Sequence, residues 1–466
     1  MKAESVYPCL PVFAQNFACS LYGWRERHIR MGKEFLGRYI WLLEKENASK
    51  KEIKAYQDRQ IAKLIRHAFE TVPYYQRIMK ERGLSPNDFT SRDSLVKLPI
   101  LRKEDVIASR QELVSNKYNR KTLKPAKTSG TTGKALNFYT TKEAVAFQWA
   151  VWWRHRARFG ISPFSWHLNF TVKVTAPLLQ NNPPYWRWNW PMRQALLNMQ
   201  HLTQSKIHSI AEFANTHDFK YYSGAPSIIA RFTELLDSNN INLVNKPEVI
   251  FVGAENVQPF QRKVIEKITG ATVTDQYGFS EGCGNASRCK CGSYHEDWEF
   301  GILECVDKVR LKDGSIQGKI VATGFANYAF PFIRYEVGDT ATWEPVSFQC
   351  ECGRSSIVIR EINGRNEDYI LTPEGNKIMR FAYLFKDTDW ISEAQILQRE
   401  LGSIVIRFVP RTANFSVDHE KLIRKKIHEC VSPSLRIDFE KVDEIPRSKS
   451  GKFRAVVSDI VQKSNT

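Results

Sequence analysis

Apolar residues recur at helical spacing early in the chain. Ile61, Leu64, Ile65, Ala68 and Phe69 share one side of a helix, with Lys and Arg between them, inside a basic, helix-forming stretch from Ser20 to about Arg82. The spacing predicts an amphipathic helix whose stripe faces inward and whose basic face meets solvent, a membrane or a partner. Pro86, Asn87 and Asp88 interrupt this pattern, and Lys103 to Ser109 begins another polar helix before a loop.

Between Lys127 and Val306 the pattern changes to short apolar runs alternating with helical stretches. Val249 to Val252, then Gln258 to Thr269, then Ala271 to Thr274 is one such unit. This alternation predicts crossover connections and a largely parallel sheet. From Cys305 to Glu344 strands dominate, with turns at Asp313-Gly314 and Gly338-Asp339, predicting antiparallel or barrel-like material. After Gly364-Arg365 a compact unit follows: strand Ala394 to Leu397, strand Ile404 to Val409, a helix carrying Leu422, Ile423, Ile427 and Cys430, and strand Leu435 to Phe439. The expected fold is α/β: a large N-terminal domain of parallel and mixed sheets with helices and a barrel-like part, then a small α+β C-terminal domain. The expected organisation is a helical region over 1–120, a core over 121–366 and the small domain over 367–466. No fixed-period repeat or low-complexity tract is visible.

A chain of 466 residues with 42% hydrophobic and 25% charged residues is globular, which excludes a disulfide-stapled miniprotein and a disordered tail. Its formal net charge of +18 suits anionic partners. The longest charge-free stretch, Ser5 to Trp24, holds Pro8, Pro11, Gln15 and Asn16, so it makes a poor spanning helix and a poor signal peptide. The expected location is the cytoplasm, with a peripheral contact at the inner face of the membrane as a further expectation. Six of nine cysteines, Cys283, Cys289, Cys291, Cys305, Cys350 and Cys352, fall in two bursts near a histidine, a pattern that suits a metal better than disulfides.

Four kinds of segment carry chemistry. Lys127 to Lys134 is a hydroxyl- and glycine-rich loop able to wrap a polyphosphate. It is not a Walker loop, because Gly130 and Gly133 are too close together and Ala135 follows Lys134. Asp275 to Glu281 follows an apolar strand, at the strand end where open α/β sheets bind ligands, and offers the Tyr277 ring and the Glu281 carboxylate. Pro331 to Asp339 and Ile362 to Asp368 supply a carboxylate after glycine and an arginine. Pro446 to Arg454 places Lys452 on a glycine-hinged loop.

In this order the segments resemble the AMP-forming adenylate-forming superfamily of acyl-CoA synthetases, and most closely its phenylacetate-CoA ligase-like branch, which includes proteins of capsular polysaccharide clusters. Ser20 to Trp24, Val72 to Tyr75 and Leu98 to Leu101 are similar to the amino-terminal part of that branch. The resemblance implies ATP-dependent activation of a small carboxylic acid, then transfer of the acyl group to coenzyme A. An amine or hydroxyl of a surface-polysaccharide sugar is the alternative acceptor.

The resemblance also implies residue roles and a C-terminal domain that reorients between the half-reactions. Thr128, Ser129, Gly130, Thr131, Thr132 and Gly133 hold the β- and γ-phosphates. Glu255, Tyr277 and Gly278 lie at the nucleotide, with Tyr277 stacked on adenine. Glu281 holds Mg²⁺, Asp339 and Arg365 bind ribose, Glu367 or Asp368 is the hinge, and Lys452 bridges the α-phosphate and the substrate carboxylate. Ala225 and Ala254 depart from residues common in the branch.

Some members of the branch carry zinc, and here Cys289, His295, Cys350 and Cys352 are the expected structural Zn²⁺ ligands, with Cys291 the alternative to Cys289. A non-catalytic basic zinc protein would also account for cysteines and charge, but it leaves the glycine-rich loop, Asp339 and Lys452 without a role. No nucleic acid partner is expected. Seven of twelve tryptophans lie from Trp149 to Trp190, predicting either an exposed grip on a sugar, a polyprenyl chain or a bilayer, or a packed helix and proline-rich loop.

Overall fold

The computed structural model describes residues 6–128, 136–171, 173–365, 369–373, 377–378, 390–411, 415–447 and 453–460. The chain divides into two compact units, one of Met1–Arg25, Pro163–Asp275 and Gly364–Thr466, the other of Glu26–Ser162 and Gln276–Asn363.

Five helices come first: α1 (Val12–Arg30), α2 (Lys33–Glu44), α3 (Lys50–Thr71), α4 (Pro73–Glu81) and α5 (Lys103–Ala108). α3 is the helix that the apolar spacing predicts. Ser49 caps it reciprocally: its hydroxyl accepts from the Glu52 N–H and the Glu52 carboxylate accepts from the Ser49 N–H at 2.9 Å. Ile61, Leu64, Ile65 and Ala68 are fully buried in the core of the second unit, and Phe69 packs against it. The stripe faces inward there, as expected.

β1 (Lys124–Lys127) and β2 (Asn137–Thr140) form an antiparallel pair, and α6 (Lys142–Ala157) follows. The first unit then builds the predicted crossover sheet from β3 (His167–Thr171), β4 (Trp186–Asn189), β5 (Gln194–Asn198), α7 (Ile207–Thr216), β6 (Tyr221–Gly224), α8 (Pro226–Ser238), β7 (Val249–Val252), α9 (Pro259–Thr269) and β8 (Thr272–Gly278). The strand order is β8-β7-β6-β3-β5-β4, parallel throughout except for the edge strand β4. Parallel strands are buried on both faces, which is why Val249 to Val252 is apolar without alternation.

The last residues of β8 belong to the second unit and pair antiparallel with β9 (Asn285–Arg288). β10 (Tyr294–Glu296), β11 (Gly301–Arg310), β12 (Ile316–Gly324), β13 (Tyr335–Trp343) and β14 (Val358–Arg365) continue that sheet in the order β9-β10-β14-β13-β12-β11. The short hairpin β15 (Ile370–Leu371) and β16 (Lys377–Ile378) precedes a four-stranded sheet of β17 (Ile391–Glu400), β18 (Ser403–Pro410), β19 (Arg436–Lys441) and β20 (Val456–Ser458). α10 (Val417–Cys430) supplies Ile423 and Ile427 to its core, and Phe260 of α9 joins that cluster. The fold is therefore the expected α/β class with a smaller C-terminal sheet.

The tryptophan-rich segment packs at Trp166, Trp186 and Trp188, while Trp190 is exposed. Trp186 stacks on Phe213 at 3.7 Å and Trp188 meets Trp166 edge-on at 5.3 Å. Arg187 between them is fully buried and donates to Gln15 Oε1 at 2.6 Å, the Pro184 carbonyl at 2.7 Å and Gln180 Oε1 at 2.7 Å.

Candidate active site

In the second unit, two tyrosine–carboxylate pairs converge from the motif segments. The Tyr277 hydroxyl donates to Asp339 Oδ2 at 2.8 Å, and the Tyr335 hydroxyl donates to Glu281 Oε1 at 2.9 Å. Burial, and then the Asp339 charge, push the Tyr277 phenol well above its usual range, so it stays a proton donor. Tyr335 lies within the Pro331 to Asp339 segment, yet nothing local in the sequence marks it as the partner of Glu281.

Local backbone explains why these residues stand here. Gly278 closes β8 opposite Asn285, and a β-carbon on it would lie 2.8 Å from Asn285 Oδ1, so only glycine fits. That same oxygen accepts from the Trp152 indole at 3.1 Å, which brings α6 to the motif loop. Arg334, in the left-handed region at φ 54°, turns the chain into β13. Its side chain is anchored by Glu304 at 3.1 Å and the Leu98 carbonyl at 2.6 Å. The Thr128 hydroxyl accepts from the Leu136 N–H at 3.0 Å while the Thr128 N–H donates to the Leu136 carbonyl at 2.9 Å, closing the neck of the glycine-rich segment.

Ser129, Gly130, Thr131, Thr132, Gly133, Glu367, Asp368 and Lys452 lie outside the described residues. Arg365 ends β14 by its backbone, and its side chain lies outside them too.

In the first unit, Glu255 follows β7 and accepts from two backbone donors, Phe453 N–H at 2.8 Å and Ser227 N–H at 3.4 Å. Phe453 is the residue after Lys452, so the C-terminal motif meets Glu255 directly. Ala254 holds φ 70°, a conformation that favours glycine, which gives physical content to the departure at this position. Nearby in the C-terminal sheet, Glu393 pairs with Arg447. Burial dominates and pushes the Glu393 carboxyl up to about 7, against the pull of Arg447 and with help from Glu234 and Glu255.

The expected metal ligands also come together. The donor atoms of Cys289, His295, Cys350 and Cys352 all lie within 4.8 Å of one another, with Cys289 Sγ 3.7 Å from Cys350 Sγ and Cys352 Sγ 3.2 Å from His295 Nε2. Cys291 is exposed. Burial, reinforced by Arg354 and Arg158, lowers the His295 pKa to about 3, so the imidazole is neutral as a ligand must be. Burial raises the Cys352 thiol, but hydrogen bonds and charge from Arg354 prevail and set it below its usual value.

Beside this cluster lies a buried ion network that the sequence did not announce. Arg154 of α6 donates to Asp297 at 2.7 Å and to Glu299 at 2.9 Å, and Arg158 binds Glu46 at 2.7 Å. Asp297 also accepts from the Asn285 amide at 2.5 Å, linking the network to Trp152 and Gly278.

The fold, with its large mixed sheet and smaller C-terminal sheet, is shared by CoA ligases whose solved structures hold acyl adenylates. The family model of the CapK C-terminal domain matches residues 370–459. Protein CapK of Staphylococcus aureus is 24% identical over 98% of this chain and 99% of its own length. The phenylacetate-coenzyme A ligase of Thermus thermophilus is 24% identical over 89% of this chain and 98% of its own. The structure of 2-hydroxyisobutyryl-CoA ligase in the postadenylation state superposes with a TM-score of 0.67 at 18% identity, covering 90% of this chain and 93% of that one. Over nearly its whole length the chain is similar to CapK and to phenylacetate-CoA ligases, and it shares its fold with an adenylate-bound CoA ligase.

Proposed function

We propose that the protein activates a small carboxylic acid with ATP as an acyl adenylate, releases pyrophosphate, and passes the acyl group to coenzyme A. The observation that carries this is the coupled pair Tyr277–Asp339 and Tyr335–Glu281, reached from motif segments far apart in sequence. Carboxylate attack on phosphorus brings two anions together, so catalysis is charge neutralisation and positioning, without a general base. Asp339, oriented by Tyr277, accepts from the ribose hydroxyls, and Arg365 donates to the ribose. Glu281, oriented by Tyr335, would hold Mg²⁺, which would supply positive charge beside the phosphates. Thr128 fixes the neck of the loop over which Ser129 to Gly133 hold phosphate. Lys452 neutralises the attacking carboxylate and the α-phosphate, and Glu255 seats its loop through Phe453. The hinge is Glu367 or Asp368, and residues 367–466 act as the lid. The alternative acceptor is an amine or hydroxyl of a surface-polysaccharide sugar.

The Cys289, His295, Cys350 and Cys352 cluster fits Zn²⁺, closed by four protein ligands and therefore structural. Metal analysis should find about one zinc per chain, and Cys352→Ser should lose it together with several degrees of melting temperature. Unchanged stability of zinc-free protein would contradict this role. The function is tested by AMP release across a panel of carboxylic acids. Release that depends on acid and rises with coenzyme A supports the proposal, and release stimulated by an amino sugar but indifferent to coenzyme A moves the acceptor to the sugar.

A further inference from the structure

α1 is amphipathic in the inverted sense. Its inward face is polar or small: Gln15 accepts from buried Arg187, Asn16 Oδ1 accepts from the Trp188 N–H at 2.9 Å, and the Ser20 hydroxyl donates to the Trp188 carbonyl at 3.3 Å. Gly23 lies so close to Asn189 that a β-carbon would overlap its side chain. The outward face carries Phe13, Phe17, Leu21 and Trp24, which are 76%, 67%, 58% and 58% exposed and follow one another at helical spacing. A contiguous aromatic and aliphatic stripe of this kind is uphill in water and marks an interaction surface.

A second segment extends the stripe. The Tyr7 hydroxyl donates to the Thr175 carbonyl at 2.6 Å, and the Lys173 ammonium stands 5.4 Å from the Tyr22 ring, so the loop 173–179 lies beside α1. That loop exposes Leu178 and, at 92%, Leu179. Cations rim the apolar surface: Lys173 and Arg25 are exposed, and Arg27 and Arg30 occupy the last turn of the helix, Arg30 paired with Glu26 at 2.6 Å. From Ser5 to Trp24 there is no charge of either sign, and the whole chain carries +18.

We propose that α1 and the loop 173–179 form an interfacial anchor that lies in the plane of an anionic lipid bilayer. An apolar face rich in Phe, Trp and Leu with a basic rim is the composition of helices that enter the boundary between headgroups and acyl chains, and anionic headgroups attract the basic chain. No helix among the described residues is long and apolar enough to cross a membrane, so the contact is peripheral. A second copy of the chain fits this surface poorly, because self-association would oppose two basic rims.

The test is flotation of the full chain with phosphatidylcholine vesicles, with and without a minor fraction of phosphatidylglycerol, at physiological salt. Native protein should float with the anionic vesicles and bind neutral ones more weakly. The triple substitution Phe13→Ser, Phe17→Ser, Leu21→Ser should weaken anionic-vesicle binding at least tenfold without lowering the melting temperature. Leu179→Ser alone should weaken it severalfold, which keeps the test decisive if the triple variant misfolds, and Val346→Ser, at an exposed apolar position in the other unit, should change nothing. Failure of native protein to float, or equal flotation by Leu179→Ser and native protein, overturns the proposal. A lipid-free dimer that the α1 substitutions convert to monomer overturns it in favour of a second copy.

Discussion

The residues assigned to the nucleotide stand in two unlike settings. Tyr277, Asp339 and Tyr335 stand on strands and Glu281 on the turn after β8, and all four are fixed by side-chain pairs in the unit that also holds the Arg154 network and the Cys/His cluster. Glu255 is held by two backbone N–H groups, one of them from the C-terminal segment, and burial pushes the adjoining Glu393 carboxyl up to about 7. Braced groups suit transition-state positioning, because they need no reorganisation when charge develops. A contact made of single hydrogen bonds and one titratable acid suits a segment that must leave and return between half-reactions.

Breaking the braced setting should have the largest effect. Arg154→Ala strands Asp297 and Glu299 in a buried site, and removing one partner of such a network costs about 3–5 kcal/mol. Thermal unfolding should show a large fall, and a shift within the range of surface substitutions would remove the network from the account. Asp339→Asn keeps the shape but weakens acceptance from both Tyr277 and ribose. A loss of about 2 kcal/mol, roughly thirtyfold in kcat/KM for ATP, is expected with little change in stability.

The movable setting should reveal itself in pH. Folding raises the Glu393 carboxyl from its ordinary 4.5 to about 7, so the native state binds its proton more tightly than the unfolded chain. Stability from this group is complete below about pH 4.5 and falls as pH rises towards 7, because the native state binds more protons over that window. Glu393→Gln should flatten the pH dependence of melting in that window, and an unchanged profile would place the titration elsewhere. The smallest effect belongs to Ala254→Gly. Relief of the left-handed conformation, offset by the extra freedom of glycine, should stabilise by less than about 1 kcal/mol, and a clear loss of stability would show that the Ala254 methyl packs productively.

Much of this was legible in the sequence, for identifiable reasons. The stripe of α3, the β7–α9–β8 unit and the strands and helix of the C-terminal sheet follow from local periodicity, and the cysteine bursts pointed to the cluster that forms. Periodicity marks a stripe but not which side of it faces the protein: α3 buries its apolar face, whereas α1 exposes Phe13, Phe17, Leu21 and Trp24. Arg154, Asn285 and Tyr335 escaped notice because their partners lie far along the chain and are brought near only by tertiary packing. The tryptophan-rich segment left two readings open, because aromatic density says how much surface must be buried, not whether the protein itself buries it.

The central claim is adenylation, and exchange of labelled pyrophosphate into ATP tests it most directly. Folded, zinc-loaded protein should catalyse exchange only when a suitable carboxylic acid is present and without any acceptor, and Lys452→Ala should abolish most of it. Absence of exchange across aromatic, aliphatic, hydroxy and amino acids, from protein whose fold is intact, would contradict the assignment.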